Sequence, residues 1–341
     1  MRHVVIDGPG RVHVADAPDP VPPDAAGAVV SVAAAAICGS DLHYYDGDLP
    51  VGESFPVGHE FIGTVVEVGA DVRRFRPGDR VLAASVTGCG RCDGCATGDP
   101  ITCVDGPKVF GSGRLGGGQA SAVAVHSADF QLLRIPDGID DEAALLLTDN
   151  LNTGWIAAER ADFPAGATVV VLGLGAVGLC AVRAALVLGA GRVLAADPVA
   201  GRRARAAESG AIPIEGPTVE AVLSATNGRG AHAVIDAVAT DTTLNDALAS
   251  VRAGGTVSVV GVHDLEPFPL PVLVGLFRSL TLRLTTAPVH RTWRELVPLV
   301  ANGRLRTDGI FTHRFPLDEA PAAYAAVAAR SADCVKVMLV P

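Results

Sequence analysis

The stretch TVVVLGLGAVGLCAVRAALVL, residues 168–188, decides the fold of this chain. Residues 168–172 form a continuous apolar run, the pattern of a parallel strand buried on both faces. The run ends in Gly173-Leu174-Gly175-Ala176-Val177-Gly178 and passes into a helical stretch that reaches Leu188. Each glycine has a mechanical reason. Gly173 permits a tight turn, Gly175 lets the backbone approach a pyrophosphate, and Gly178 allows close packing of the helix. Phosphates then meet the positive end of the helix that opens at Ala176 and Val177. A lone motif of this kind is weak. Here it follows an expected strand, opens an expected helix, and is followed by Asp197 at the end of the next strand. Asp197 suits the ribose hydroxyls of an adenosine and repels a 2′-phosphate, which favours NAD over NADP. Arg202 and Arg203 weaken that preference, because a nearby arginine can hold the extra phosphate. The bland reading of the same residues is a packing turn with Asp197 as a helix cap.

Outward from this motif, strands are expected at 192–196, 233–237 and 256–262, with helices at 200–209 and 244–251, which makes a doubly wound α/β unit. Before residue 150 the character differs. Val-rich segments at 28–35, 61–68 and 80–84 alternate with Gly/Pro turns and read as an all-β, barrel-like domain. After Ala287 the α/β alternation stops, and a helix at 293–300 and a strand at 333–340 are expected to rejoin the first domain. The division is therefore 1–150 plus 287–341 for one domain and 151–286 for the other. A length of 341 residues suits two domains. A net charge of -10 argues against a nucleic-acid partner. No apolar run suits a membrane span.

Four cysteines crowd into TGCGRCDGCATGD and its continuation: Cys89, Cys92, Cys95 and Cys103. The spacing C-x2-C-x2-C-x7-C fits one tetrahedral zinc, and four thiolates leave no open position, so this loop should hold structure and not catalyse. Two disulfides are the rival reading. A chain with seven cysteines and no amino-terminal apolar targeting run reads as cytoplasmic, where disulfides are rare. An iron–sulfur cluster also takes four thiolates. Cys180 and Cys334 read as small buried hydrophobes.

With GHEFIGTVVEVGADV at 58–72, CGSDLH at 38–43, the four-cysteine loop and GLGAVG, the chain resembles the zinc-dependent alcohol dehydrogenases of the medium-chain dehydrogenase/reductase family over nearly its whole length. The resemblance implies a GroES-like β-barrel catalytic domain beside the Rossmann domain, and two zincs per subunit. It implies that Cys38 and His59 bind the catalytic zinc. A third ligand is needed, and Asp149 in TDNLNTGW, four residues before Thr153, stands at the family's position. Many relatives carry cysteine or glutamate there. Glu60 is expected to lie behind the metal or coordinate transiently, and Asp41 to orient the His59 imidazole. Taken singly, Cys38 reads as a buried thiol, His59 as a core or solvated histidine and Asp149 as a cap.

The resemblance further implies hydride transfer between an alcohol or polyol and NAD. Ser40 would take the alcohol proton and His43 would pass it to solvent. Thr153 would pack at the nicotinamide, and the backbone of Val260, Gly261 and Val262 would hold its carboxamide. Substrate is expected in the cleft between the domains, near Tyr44, Tyr45, Asp46 and Trp155. Strands 256–262 and 280–285 are candidates for joining sheets in a homo-oligomer, a tetramer or dimer. Alternatives are an NADP-preferring enzyme, a zinc-free enoyl or quinone reductase of the same fold, and a redox-inactive NAD-binding protein. Relatives of the zinc-free kind lack the set of Cys38, His59 and Asp149.

Overall fold

Strand Thr168–Leu172 is buried along its full length and lies inside a six-stranded parallel sheet. The order across the sheet is Ile212–Pro213, Arg192–Ala196, Thr168–Leu172, Ala231–Asp236, Val251–Val259 and Thr281–Leu284. Chain order reverses at Thr168–Leu172, and ligands of such sheets bind beyond the carboxyl ends of the strands at that reversal. The computed structural model that gives this arrangement describes residues 1–112 and 115–341.

The chain divides into two compact units. One comprises Met1–Asn152, Pro288–Gly303 and Phe311–Pro341, and the other Thr153–Ala287 and Arg304–Ile310. The segment Arg304–Ile310 departs from the expectation that all of 287–341 joins the first unit. Two helices of the second unit capture it through its carbonyls. Arg183 donates to the carbonyls of Arg306 and Asp308 at 3.1 and 2.8 Å, and Arg205 to that of Gly309 at 3.2 Å.

In the second unit, apolar residues from strands and helices, among them Val170, Leu172, Val234, Leu244 and Ala247, close one core. Each fully buried valine or leucine there contributes about 1.5–3 kcal/mol. Two boundaries shift from those expected. The Thr240 side chain accepts from the Thr243 amide and starts its helix at Asp241, so the helix is Asp241–Ser250. The following strand is then Val251–Val259. Residues 260–262 lie beyond its end.

In the first unit, strand Ala28–Ile37 pairs with Glu60–Val68, Ala122–Val125 and Lys336–Val340, all antiparallel. Phe61 and Phe110 meet edge to face at 5.2 Å in the core beneath. The returning helix Val289–Ala301 is tied down by Trp293 Nε1 donating to the Leu147 carbonyl at 2.8 Å and Thr292 Oγ1 to Asn152 Oδ1 at 2.7 Å. The all-β expectation misses helices Gly39–Asp46 and Asp141–Leu146. Both are too short for helical periodicity to stand out.

Candidate metal centre and dinucleotide cradle

Cys38 caps the amino end of helix Gly39–Asp46. His59 enters strand Glu60–Val68, and Asp149 immediately precedes helix Asn150–Arg160. One ligand atom from each of Cys38, His59, Glu60 and Asp149 lies within 4.8 Å of the others. Two thiolates of one zinc can stand no more than about 4.6 Å apart, twice the bond length. The donor set thus converges to the scale of a single ion, and its sulfur, imidazole and carboxylate chemistry suits zinc.

Supporting groups fix these donors. Asp41 Oδ1 lies 3.4 Å from His59 Nδ1. Asp41 Oδ2 accepts from the Cys38 amide at 2.9 Å and from Gln119 Nε2 at 3.1 Å. Gln119 Oε1 in turn accepts from the Tyr324 hydroxyl at 2.9 Å. With Nδ1 facing Asp41, Nε2 faces the donor set, 3.5 Å from Ser40 Oγ. Burial disfavours the charged imidazole, but Asp41 and the Cys38 sulfur outweigh it and hold the pKa of His59 well above the usual histidine value. Metal binding must displace that proton.

Glu60 is fully buried, and Lys336 Nζ lies 2.5 Å from its Oε1. Burial raises the pKa of Glu60 while Lys336 pulls it down, and Asp149 pushes it up again. Asn150 Nδ2 donates to Glu60 Oε1 at 3.2 Å and to Asp149 Oδ2 at 2.9 Å, and Ser85 Oγ donates to Asp149 Oδ1 at 2.8 Å. Sequence reasoning passes over Gln119, Tyr324, Asn150 and Lys336. Only Lys336 leaves a signal: it is one of two lysines in the chain and sits inside the apolar run CVKVMLV, 334–340.

His43 Nδ1 bonds Asp48 Oδ2 at 3.0 Å and stays partly open to solvent. Tyr44 packs edge-on against Phe55 at 5.2 Å, Tyr45 against Tyr324 at 5.5 Å, and Asp46 pairs with Arg330 at 3.1 Å. These three side chains serve the packing of the first unit, and Trp155 is buried.

The sulfurs of Cys89, Cys92, Cys95 and Cys103 also lie within 4.8 Å of one another, and all seven cysteines of the chain are free. The amides of Cys95 and Val104 point at the Cys92 sulfur and draw its pKa down to about 6, while burial pushes Cys95 up to about 12. A Cβ on Gly88 would stand 2.5 Å from the Cys95 sulfur. The loop is shaped around the thiols.

In the second unit, Gly173 has φ +81° and a Cβ there would reach within 2.2 Å of Val238. A Cβ on Gly178 would lie 1.7 Å from the Gly173 carbonyl, whereas one on Gly175 would meet nothing within 4 Å. The first and last glycines serve the protein itself. The middle one keeps a surface clear, as a phosphate cradle requires. Helix Ala176–Val187 begins immediately after it.

Asp197 accepts from the Leu174 amide through Oδ2 and the Val199 amide through Oδ1, each at 2.8 Å. Arg202 Nη1 lies 4.0 Å from Asp197 Oδ2, and Arg203 donates to the carbonyls of Asp197 and Pro198. The amides of Val260 and Gly261 donate to the Asp236 carbonyl at 3.0 and 3.2 Å, so both already have a partner; Val262 is exposed. Sequence reasoning also passes over Asp236. Its Oδ1 takes the amides of Val238 and Ala239 and shapes the turn against which Gly173 and Gly261 pack. Thr153 opens the second unit.

Known proteins resemble this chain over its whole length. Residues 24–137 match the alcohol dehydrogenase GroES-like domain, and residues 176–302 match the zinc-binding dehydrogenase domain. A protein of Mycobacterium tuberculosis named as a probable zinc-binding alcohol dehydrogenase is 58% identical over 341 residues, covering 100% of this chain and 89% of that protein. The NADP-dependent isopropanol dehydrogenase of Thermoanaerobacter brockii is 34% identical over 319 residues, 87% of each chain. An alcohol dehydrogenase from Thermus sp. ATN1 superposes with a TM-score of 0.92 at 38% identity, covering 100% of this chain and 99% of its own. The chain belongs to the zinc-type alcohol dehydrogenases of the medium-chain dehydrogenase/reductase family. No helix among the described residues is long and apolar enough to cross a membrane.

Proposed function

We propose that this chain is an NAD-dependent zinc alcohol or polyol dehydrogenase, interconverting an alcohol with its aldehyde or ketone. The observation that carries the reading is the convergence of Cys38, His59 and Asp149, with Asp41 turning His59 Nε2 toward the set. Those three residues would hold the catalytic zinc, and Cys89, Cys92, Cys95 and Cys103 a structural one. When bound, zinc supplies Lewis acidity toward a substrate oxygen. Ser40, with its hydroxyl 3.5 Å from His59 Nε2, accepts the substrate proton. His43, held by Asp48 and open to solvent, exchanges it with water.

Thr153, Gly173, Gly175, Ala176, Val177, Gly178, Asp197, Arg202, Val260, Gly261 and Val262 form the dinucleotide site in this reading. At 260–262 the amides of Val260 and Gly261 are engaged by Asp236, so the backbone carbonyls are the groups offered to a carboxamide. Asp197 favours the free ribose diol of NAD. Preference for NADP is the second reading, supported by Arg202 beside Asp197 and by the isopropanol dehydrogenase relative. Two copies join over helix Val272–Phe277 and edge strand Thr281–Leu284, where Leu273, Leu276, Phe277 and Leu284 stand exposed. A cytoplasmic setting suits the free thiols.

The test is a panel of primary, secondary, polyol and cyclic alcohols with NAD and with NADP, run on wild type and Cys38→Ser. NAD reduction by wild type, lost in a folded Cys38→Ser chain, supports the reading. Normal turnover in that variant refutes the site, and a preference for NADP overturns the role given to Asp197.

A further inference from the structure

We infer that Asn150 is a positioning residue that ties Asp149 and Glu60 together through one amide, so that Asp149 and not Glu60 completes the donor set with Cys38 and His59. The inference rests on the zinc reading of that set. Asn150 Nδ2 lies 2.9 Å from Asp149 Oδ2, 3.2 Å from Glu60 Oε1 and 3.8 Å from Cys38 Sγ. A side-chain amide nitrogen carries two hydrogens and no accepting lone pair, so it can serve both carboxylates. The reverse orientation would turn the amide oxygen, an acceptor, toward two carboxyl groups and a sulfur. The side chain is buried, and its Oδ1 has no partner among the described residues. Leaving a buried acceptor unmet is unfavourable. That cost accompanies the orientation that points both donors at the acids.

The two carboxylates are held unequally. Asp149 is fixed at one oxygen by Ser85 and at the other by Asn150. Among the described residues Glu60 is held through Oε1, by Asn150 at 3.2 Å and Lys336 at 2.5 Å with His59 Nε2 farther off at 3.9 Å, and its Oε2 has no partner. Without the Asn150 amide, Asp149 loses a restraint on Oδ2 and Glu60 one on Oε1. Mutual repulsion then drives the carboxylates apart, and Glu60 competes for the metal.

The test uses full-length protein loaded with zinc or with cobalt, whose absorption reports the donor geometry. Wild type is expected to bind two metals per chain. Asn150→Leu should weaken metal binding at the Cys38 site about tenfold in chelator competition and shift the cobalt bands. Asn150→Asp keeps the shape but replaces the donors with a third carboxylate. Its loss should exceed that of Asn150→Leu. Asn150→Ser, a smaller change, should show the same band shift. Affinities within twofold of wild type with unchanged cobalt bands overturn the inference. So does loss of fold in all three metal-free variants, which marks a packing role. Failure of the underlying zinc reading looks different: wild type then binds a single metal, insensitive to Cys38→Ser and abolished by Cys103→Ser.

Discussion

Lys336 Nζ and Glu60 Oε1 meet at 2.5 Å with side chains 2% and 0% exposed, which places a fully desolvated ion pair beside the candidate metal donors. Removing one member of such a pair leaves an uncompensated buried charge and typically costs about 3–5 kcal/mol. Lys336→Met is therefore expected to destabilise the metal-free protein on that scale in urea unfolding. The double variant Lys336→Met/Glu60→Gln should recover most of the loss. A Lys336→Met protein as stable as wild type would show that Glu60 is already neutral.

The glycine turn separates two kinds of requirement. Gly178→Ala drives a methyl to 1.7 Å from the Gly173 carbonyl and should cost several kcal/mol or prevent folding. Gly175→Ala meets no protein atom within 4 Å, so its melting temperature should stay within about 2 °C of wild type. Its affinity for NAD, measured by calorimetry, should nevertheless fall at least about tenfold, since the methyl occupies the approach of the pyrophosphate. Unchanged NAD affinity would remove Gly175 from the cradle.

His290 stacks on Phe130 at 4.1 Å and leans on Trp293 at 5.1 Å, with neither ring nitrogen partnered among the described residues. Burial pushes its pKa down to about 3. Unfolding then takes up a proton between that value and the ordinary histidine value of about 6.5, so stability falls as pH drops through this window. The limit is about 1.4 kcal/mol per pH unit for one proton. His290→Phe keeps the stack and removes the titration. Between pH 7 and pH 5 it should lose about 2 kcal/mol less stability than wild type does. Parallel losses in the two proteins would contradict the assignment.

The cysteine loop should behave as a clamp. Cys92→Ala or Cys103→Ser is expected to lower the zinc content from two per chain to one and to reduce the melting temperature, with turnover surviving at temperatures where the chain stays folded. Metal analysis beside calorimetry checks this. Either variant retaining two zincs and wild-type stability would contradict it.

Phe277 is 81% exposed on a short helix next to an open sheet edge. Phe277→Arg should shift the protein to monomer in light scattering without lowering its secondary-structure content. An unchanged mass would move the interface elsewhere.

The glycine turn was legible in the sequence because its demands are local: a strand end, a φ near +81° at Gly173, a carbonyl one turn away. Cys38, His59 and Asp149 were legible only as members of a motif set, since each alone is unremarkable. Lys336 and Gln119 were not. They reach their partners across 276 and 205 positions, and no periodicity in a single chain encodes such a meeting. The shift of the strand to Val251–Val259 has a different cause, because Val251 suits either the end of a helix or the start of a strand, and its pairing with Ala231 puts it in the sheet.

Strand Lys336–Val340 also sets an order of events during synthesis. A nascent chain that has emerged only as far as residue 152 already carries Cys38, His59, Glu60 and Asp149, yet strand Ala28–Ile37 lacks the neighbour at Lys336–Val340 and Glu60 lacks its cation. The whole second unit must be translated before that cation arrives. The amino-terminal portion therefore waits on the ribosome with an open strand edge and an unbalanced cluster of acids, and metal captured in that interval meets a different electrostatic field from the one in the finished fold.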